Sequence, residues 1–108
     1  YETITIGTFD DIAAAIIKAL GVTERITREF IIEVLEDIEL FDRKQHDYGS
    51  RNISDFGEQG ILVRANDKIA RLKNLQGKEA KNESIEDAWR DLSVYGVIAR
   101  MVRKGVWK

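Results

Sequence analysis

Acidic side chains recur at helical spacing in two stretches of this sequence, and carboxylates in such an arrangement can hold a divalent cation. The first stretch contains Glu33 and Glu36, which lie within one turn of a predicted helix and can reach the same side of it. Magnesium prefers several oxygen ligands at once. The competing interpretation is a solvated acidic helix face, the usual role of a charge run.

The second acidic stretch opens the last predicted helix. Glu83, Asp87 and Asp91 are four residues apart and stack on one face, with Asp91 nearest to the apolar residues. The helix dipole favours acids in the first turn, but it does not explain Asp91, which is two turns further on. Asp91 is therefore either the partner of an arginine or a functional carboxylate.

The predicted helix between these two stretches carries a charged group of three basic residues and one acid, which are Arg64, Lys68, Arg71 and Asp67. Two guanidinium groups so placed could clamp a phosphate in bidentate fashion. Equally, they could pair with Asp87 and Asp91 across a helix interface without any ligand. We expect Asp67 and Asp91 to share one site with Arg64 or Arg71.

His46, the single histidine, is followed by Asp47, Tyr48 and Gly49 at the point where a helix is predicted to break. A charged histidine suits a helix C-terminus, which is sufficient reason for its position. The alternative is that this polar group faces a pocket.

Amphipathic helices must position these groups, and the apolar spacing predicts an all-α fold with four helices around one core. The predicted helices span 8–20, 24–46, 60–76 and 84–104, after an extended arm at 1–7, in a single domain of residues 1–108. The predicted N-caps are Thr8, Thr23 and, for the last helix, either Ser84 or Asn82. The residues predicted to face the core include Ile12, Ala13, Ile16, Ile17, Leu20, Phe30, Ile31, Val34, Leu35, Ile38, Phe41, Ile61, Leu62, Ala65, Ile69, Leu72, Ile85, Ala88, Trp89, Leu92, Tyr95, Ala99 and Val102.

Composition excludes several functional classes. The 108 residues include no cysteine, so disulfides, thiol catalysis and thiolate zinc sites are ruled out, and a reducing cytoplasm is the expected location. A net charge of −2 argues against bulk electrostatic binding to nucleic acid or to a membrane. No apolar run approaches the roughly 20 residues of a membrane helix. A domain this short leaves much helix surface unburied, so a homodimer or higher homo-oligomer is expected.

The segment 41–49, with Phe41, Lys44 and Asp47-Tyr48-Gly49, resembles the F..K..DYG signature of a phage-enriched family, the nucleotide modification associated domain 1. The resemblance continues through 56–61 and 64–72 and ends with 83–87, Asp91-Leu92 and Tyr95. It implies a role in nucleotide metabolism in the bacterial cytoplasm, as a bacterial protein or as a phage protein in its host.

This family is in turn similar to the all-helical NTP pyrophosphatases of the MazG and dUTPase type, which hold magnesium with ExxE on one helix and ExxD on another. Glu33-Val34-Leu35-Glu36 matches ExxE, whereas Glu83 and Asp87 are one residue away from the ExxD spacing. The resemblance implies that Glu33, Glu36, Asp87 and Asp91 bind magnesium and that Arg64, Asp67, Lys68, Arg71 and Tyr48 bind the nucleotide. Asp47 or His46 would orient the attacking water.

Three functions follow from these residues. The first is a magnesium-dependent pyrophosphatase acting on (deoxy)nucleoside triphosphates, in which metal ions polarise a phosphoryl oxygen and activate water. The second is a non-catalytic protein that binds or sequesters a nucleotide or a nucleotide-derived signal, which the incomplete metal motif favours. The third is structural: the polar residues form an ion-pair network between helices, and the Val106-Trp107 tail docks a partner.

Overall fold

The computed structural model describes residues 6–107, and these residues form five α-helices and no strand. The helices are α1 (Ile6–Leu20), α2 (Thr27–Tyr48), α3 (Arg51–Ser54), α4 (Gly57–Asn74) and α5 (Ile85–Arg103). The predicted all-α class is confirmed. Four of the helices are the long ones expected from the sequence, and α3 is a single turn inside the predicted loop.

The helix ends follow glycine more closely than they follow the predicted caps. Gly49 has a φ of +69°, a backbone conformation that glycine adopts at little cost, and α2 ends directly before it. Ser84 is the N-cap of α5 as predicted, because its hydroxyl accepts a hydrogen bond from the Asp87 N–H at 3.1 Å.

The N-terminal boundaries differ from the prediction. α1 already includes Ile6 and Gly7, so the predicted arm at 1–7 is too long by two residues and Thr8 lies inside the helix. Residues 1–5 lie outside the described part of the chain. α2 begins at Thr27 rather than at 24, which removes Thr23 from the N-cap position.

The chain divides into two compact units, Tyr1–Asp47 and Tyr48–Lys108. The core of the first unit consists of Phe9 and Ala13 from α1 and Ile32 from α2, with Ile31 and Leu35 packed against it. An ion pair between Arg28 and Asp10, 3.3 Å apart, also joins the two helices. The predicted core face of α2 is therefore only partly right: Ile31 and Leu35 contribute, whereas Phe30, Val34 and Ile38 are exposed.

The second unit buries Ile53 of α3, Ile61 of α4, and Ala88 and Ile98 of α5. The two long helices are antiparallel, because contacts pair the start of α4 with the end of α5 and the end of α4 with the start of α5. Four core positions predicted in this unit are wrong because their side chains are exposed: Leu62, Ile69, Ile85 and Trp89. The same is true of Leu20 at the end of α1 in the first unit. None of the described helices is long and apolar enough to cross a bilayer.

Candidate functional site

A row of three basic residues on α4 faces the neighbouring helices of the second unit. Arg64, Lys68 and Arg71 are spaced four and three residues apart, which places them on one side of the helix. We call these three residues the α4 basic row. Each of them makes a hydrogen bond to a different part of the unit.

Lys68 makes the most buried of these contacts. Its ammonium nitrogen lies 3.0 Å from Asp91 Oδ2, and it lies 2.9 Å from Glu83 Oε1 and 3.0 Å from Glu83 Oε2. The Asp91 side chain is only 8% exposed, whereas that of Glu83 is 36% exposed. A buried carboxylate is costly unless a cation or hydrogen-bond donors satisfy it, and Lys68 supplies both.

These contacts also set the protonation of Lys68. Partial burial alone would lower the pKa of Lys68 because it disfavours the charged form. The hydrogen bonds to Glu83 and Asp91, together with their negative charge, outweigh burial, so the pKa of Lys68 is raised above its ordinary value. The ammonium is accordingly held in its charged form between the two carboxylates.

The side chain of Arg71 on α4 reaches the start of α5. Its Nη1 donates to the backbone carbonyl of Ser84 at 3.2 Å, and Ser84 is the N-cap residue of that helix. A guanidinium carries five N–H donors, so this one hydrogen bond positions the group without saturating it. Arg71 is thereby fixed next to the helix end whose backbone N–H groups attract anions.

Arg64 lies at the other end of the row and contacts α3. Its Nη2 donates to the backbone carbonyl of Asn52 at 3.2 Å. The side-chain oxygen Oδ1 of Asn52 is buried and has no hydrogen-bond partner within the part of the chain that the structure describes. Sequence reasoning could not identify Asn52 as a site residue, because a lone amide in a predicted loop carries no spacing pattern.

The predicted pairing of the two arginines with Asp87 and Asp91 is wrong in its details. Both arginines bond to backbone carbonyls, and Lys68 is the residue of the row that binds Asp91. Asp87 is exposed and takes part in the N-cap of α5 through its backbone N–H. Asp67 is exposed as well. Its exposure does not test whether it shares a site with Asp91, and that site stays a prediction.

The groups around the end of α2 are at the surface. His46 Nδ1 lies 3.2 Å from Asp47 Oδ1, and both side chains are exposed. Tyr48 is the last residue of α2 and is exposed as well. The roles predicted for His46 or Asp47 in orienting water, and for Tyr48 in binding the nucleotide, stay predictions.

The predicted magnesium ligands are divided between the two units. Glu33 is exposed and Glu36 half-buried on α2, whereas Asp87 and Asp91 lie on α5. Among residues 6–107 no three His, Asp or Glu side chains are gathered in a way that would hold a metal ion. Since Lys68 already neutralises Asp91, the arrangement within the second unit does not fit a magnesium site.

The C-terminal tail packs within the second unit through a contact that the sequence did not predict. Trp107 is half-buried, and its indole N–H donates to the backbone carbonyl of Ser50 at 3.0 Å. Trp107 therefore packs within its own unit, whereas the adjacent Val106 is exposed, and docking of a partner by this tail stays a prediction.

Comparisons with protein-family models, with curated proteins and with solved structures find no match to this chain. The family resemblance drawn from the motifs therefore stays a prediction.

Proposed function

We propose that this protein binds a nucleotide or a nucleotide-derived ligand through the α4 basic row and does not hydrolyse it. The resemblance supplies the ligand class. The observation that carries the proposal is the position of Arg71, which the Ser84 carbonyl fixes beside the first turn of α5. A guanidinium with further donors, next to a helix N-terminus, is suited to bind a phosphate group. A cytoplasmic location, where such ligands are abundant, belongs to the proposal.

Binding without turnover is supported by the partners of Lys68. A hydrolase of the expected type needs carboxylates that are available to magnesium. In the second unit the buried carboxylate Asp91 is bound by an ammonium group, and Glu83 shares the same cation. The positive charge that a metal would supply at Asp91 is thus provided by the protein itself.

A panel of ribo- and deoxyribonucleoside mono-, di- and triphosphates tests the proposal, with melting temperature and calorimetric affinity measured with and without magnesium. Arg71→Met is expected to weaken binding by about tenfold or more, because a hydrogen bond to a charged group is lost. Lys73→Met is the matched control, since Lys73 is exposed on the same helix and lies outside the row. Equal losses in both variants, or no binding of any nucleotide, would contradict the proposal.

The magnesium-dependent pyrophosphatase implied by the resemblance is the second candidate. Its one supporting observation is that Asp91 is buried, as functional carboxylates often are, and Lys68 would have to leave Asp91 before a metal could bind there. Pyrophosphate release is measured on the same nucleotide panel. Release that requires magnesium and is abolished in both Glu36→Gln and Asp91→Asn would replace binding without turnover by catalysis.

A further inference from the structure

One face of α2 carries an exposed apolar row that begins just before the helix. Ile26 is 74% exposed, Phe30 69%, Val34 37% and Ile38 56%. Each follows the previous one by four residues, so together they form a continuous ridge about 18 Å long. We call these four residues the α2 ridge.

The α2 ridge is large compared with what its own unit buries. Among the residues that the structure describes, the core of that unit buries Phe9, Ala13 and Ile32, which are between 0% and 9% exposed. From typical side-chain areas, the exposed parts of the ridge amount to roughly 400 Å². A stable interface buries about 800 Å² on each partner, of which roughly 450–500 Å² is apolar. The exposed area of the ridge is therefore close to the apolar area that one partner contributes to a stable dimer interface.

We propose that the α2 ridge is the dimer interface of this protein and that its occupant is the α2 ridge of a second copy, packed antiparallel. Ridges of residues spaced by four interdigitate with the same ridge of another helix, which is the commonest helix packing. A two-fold axis brings identical surfaces together, so a self-complementary ridge suffices. The axis lies near the middle of the ridge and pairs Phe30 of each copy with Val34 of the other.

Charge selects the antiparallel direction. The exposed Arg25 lies at one end of the ridge, and the half-buried Asp37 lies beside Ile38 at the other end. The exposed Glu29 and Glu33 lie between them and meet like charges in either direction, so only the two ends distinguish the directions. A parallel pair would bring Arg25 next to Arg25 and Asp37 next to Asp37, which is repulsive. The antiparallel pair brings Arg25 of each copy to the end where the other copy has Asp37, so opposite charges meet at both ends.

Sedimentation equilibrium on the full chain is the first test. The wild type is expected to be a dimer. Phe30→Glu should remain helical but be monomeric, with a dimer dissociation constant at least about 30-fold higher than that of the wild type. Leu62→Glu is the control, because Leu62 is similarly exposed (62%) but lies on α4, and it should remain dimeric. Helical content by circular dichroism checks that Phe30→Glu is folded.

Three results would overturn the interface. The first is a monomeric wild type at high concentration. The second is a Phe30→Glu variant with unchanged mass but a lowered melting temperature, which would show that the ridge is covered from within the chain. The third is dissociation of Leu62→Glu as well, which would place the interface elsewhere.

Disulfide cross-linking tests the direction, since the chain contains no cysteine. Phe30→Cys and Val34→Cys are prepared as separate proteins, and each is oxidised alone and in an equimolar mixture. The antiparallel pair predicts that the cross-linked heterodimer forms fastest in the mixture. Faster cross-linking of each variant alone indicates a parallel pair and overturns the antiparallel arrangement.

Discussion

The ammonium nitrogen of Lys68 on α4 lies 3.0 Å from Oδ2 of Asp91 on α5, and the Asp91 side chain is almost fully buried. Sequence separation between the two residues is 23 positions, so this contact depends on how the two helices pack. It joins the two helices, and Asp91 together with Glu83 keeps the Lys68 ammonium in its charged form.

The first prediction concerns the contribution of this ion pair to the free energy of unfolding. Lys68→Met removes the ammonium and should lower the free energy of unfolding by roughly 3 kcal/mol, because Asp91 loses a buried cationic partner. The double variant Lys68→Met/Asp91→Leu should recover much of that loss, since apolar residues can replace a buried ion pair at little cost. Urea unfolding of both variants measures the effect. Lys73→Met should change stability by less than about 0.5 kcal/mol, and a loss in Lys68→Met no larger than in this control would contradict the prediction.

The second prediction concerns alkaline pH. Because the pKa of Lys68 is raised in the folded state, its contribution to stability is fully present below the unfolded value of about 10.4. The contribution is lost as the pH rises through the higher folded value. Unfolding free energies from pH 8 to 12 should therefore fall more steeply for the wild type than for Lys68→Arg, whose guanidinium does not titrate in this range. Parallel curves for the two proteins would show that the Lys68 contacts do not contribute.

The third prediction concerns two glycines inside helices. A Cβ atom at Gly60 of α4 would lie 2.6 Å from Cβ of Phe56, whereas a Cβ at Gly96 of α5 would meet nothing within 4 Å. Gly96→Ala should raise the free energy of unfolding by about 0.5–1 kcal/mol through helix propensity. Gly60→Ala should instead lower it by about 1–3 kcal/mol because Phe56 or the helix start must shift. Thermal unfolding of the pair is the measurement, and equal stabilisation in both would show that Phe56 yields freely.

The fourth prediction concerns the C-terminal tail. Trp107→Phe keeps an aromatic ring but removes the indole N–H that bonds to Ser50, so stability should fall by about 1 kcal/mol. Trp89→Phe is the matched control, because Trp89 is exposed on α5 and should have little effect. The same two variants separate the fluorescence of a half-buried indole from that of an exposed one. Identical stabilities and emission maxima would contradict the packing of Trp107 in its unit.

Residues close together along the chain are enough to predict the four long helices, although several helix ends differ from the prediction by two or three residues. Apolar residues spaced by three and four positions appear in four stretches. Two helix ends depend on a single local residue: Gly49, which adopts a positive φ, and Ser84, whose side chain caps α5. The presence of Lys68 and Asp91 beside apolar positions also follows from helical phase. These features depend on residues within a few positions of one another.

Which side of each helix is covered, and which charges meet, depends on how the helices pack and cannot be predicted from the sequence pattern. Two neighbouring faces of α2 carry apolar residues. Ile31 and Leu35 on one face pack against the core, whereas Phe30 and Val34 on the other face are exposed. Periodicity gives the angle between these groups but not which of them faces α1. Likewise, only the antiparallel packing of α4 on α5 brings Lys68, rather than Arg64 or Arg71, to Asp91, because that choice depends on how far one helix is shifted along the other.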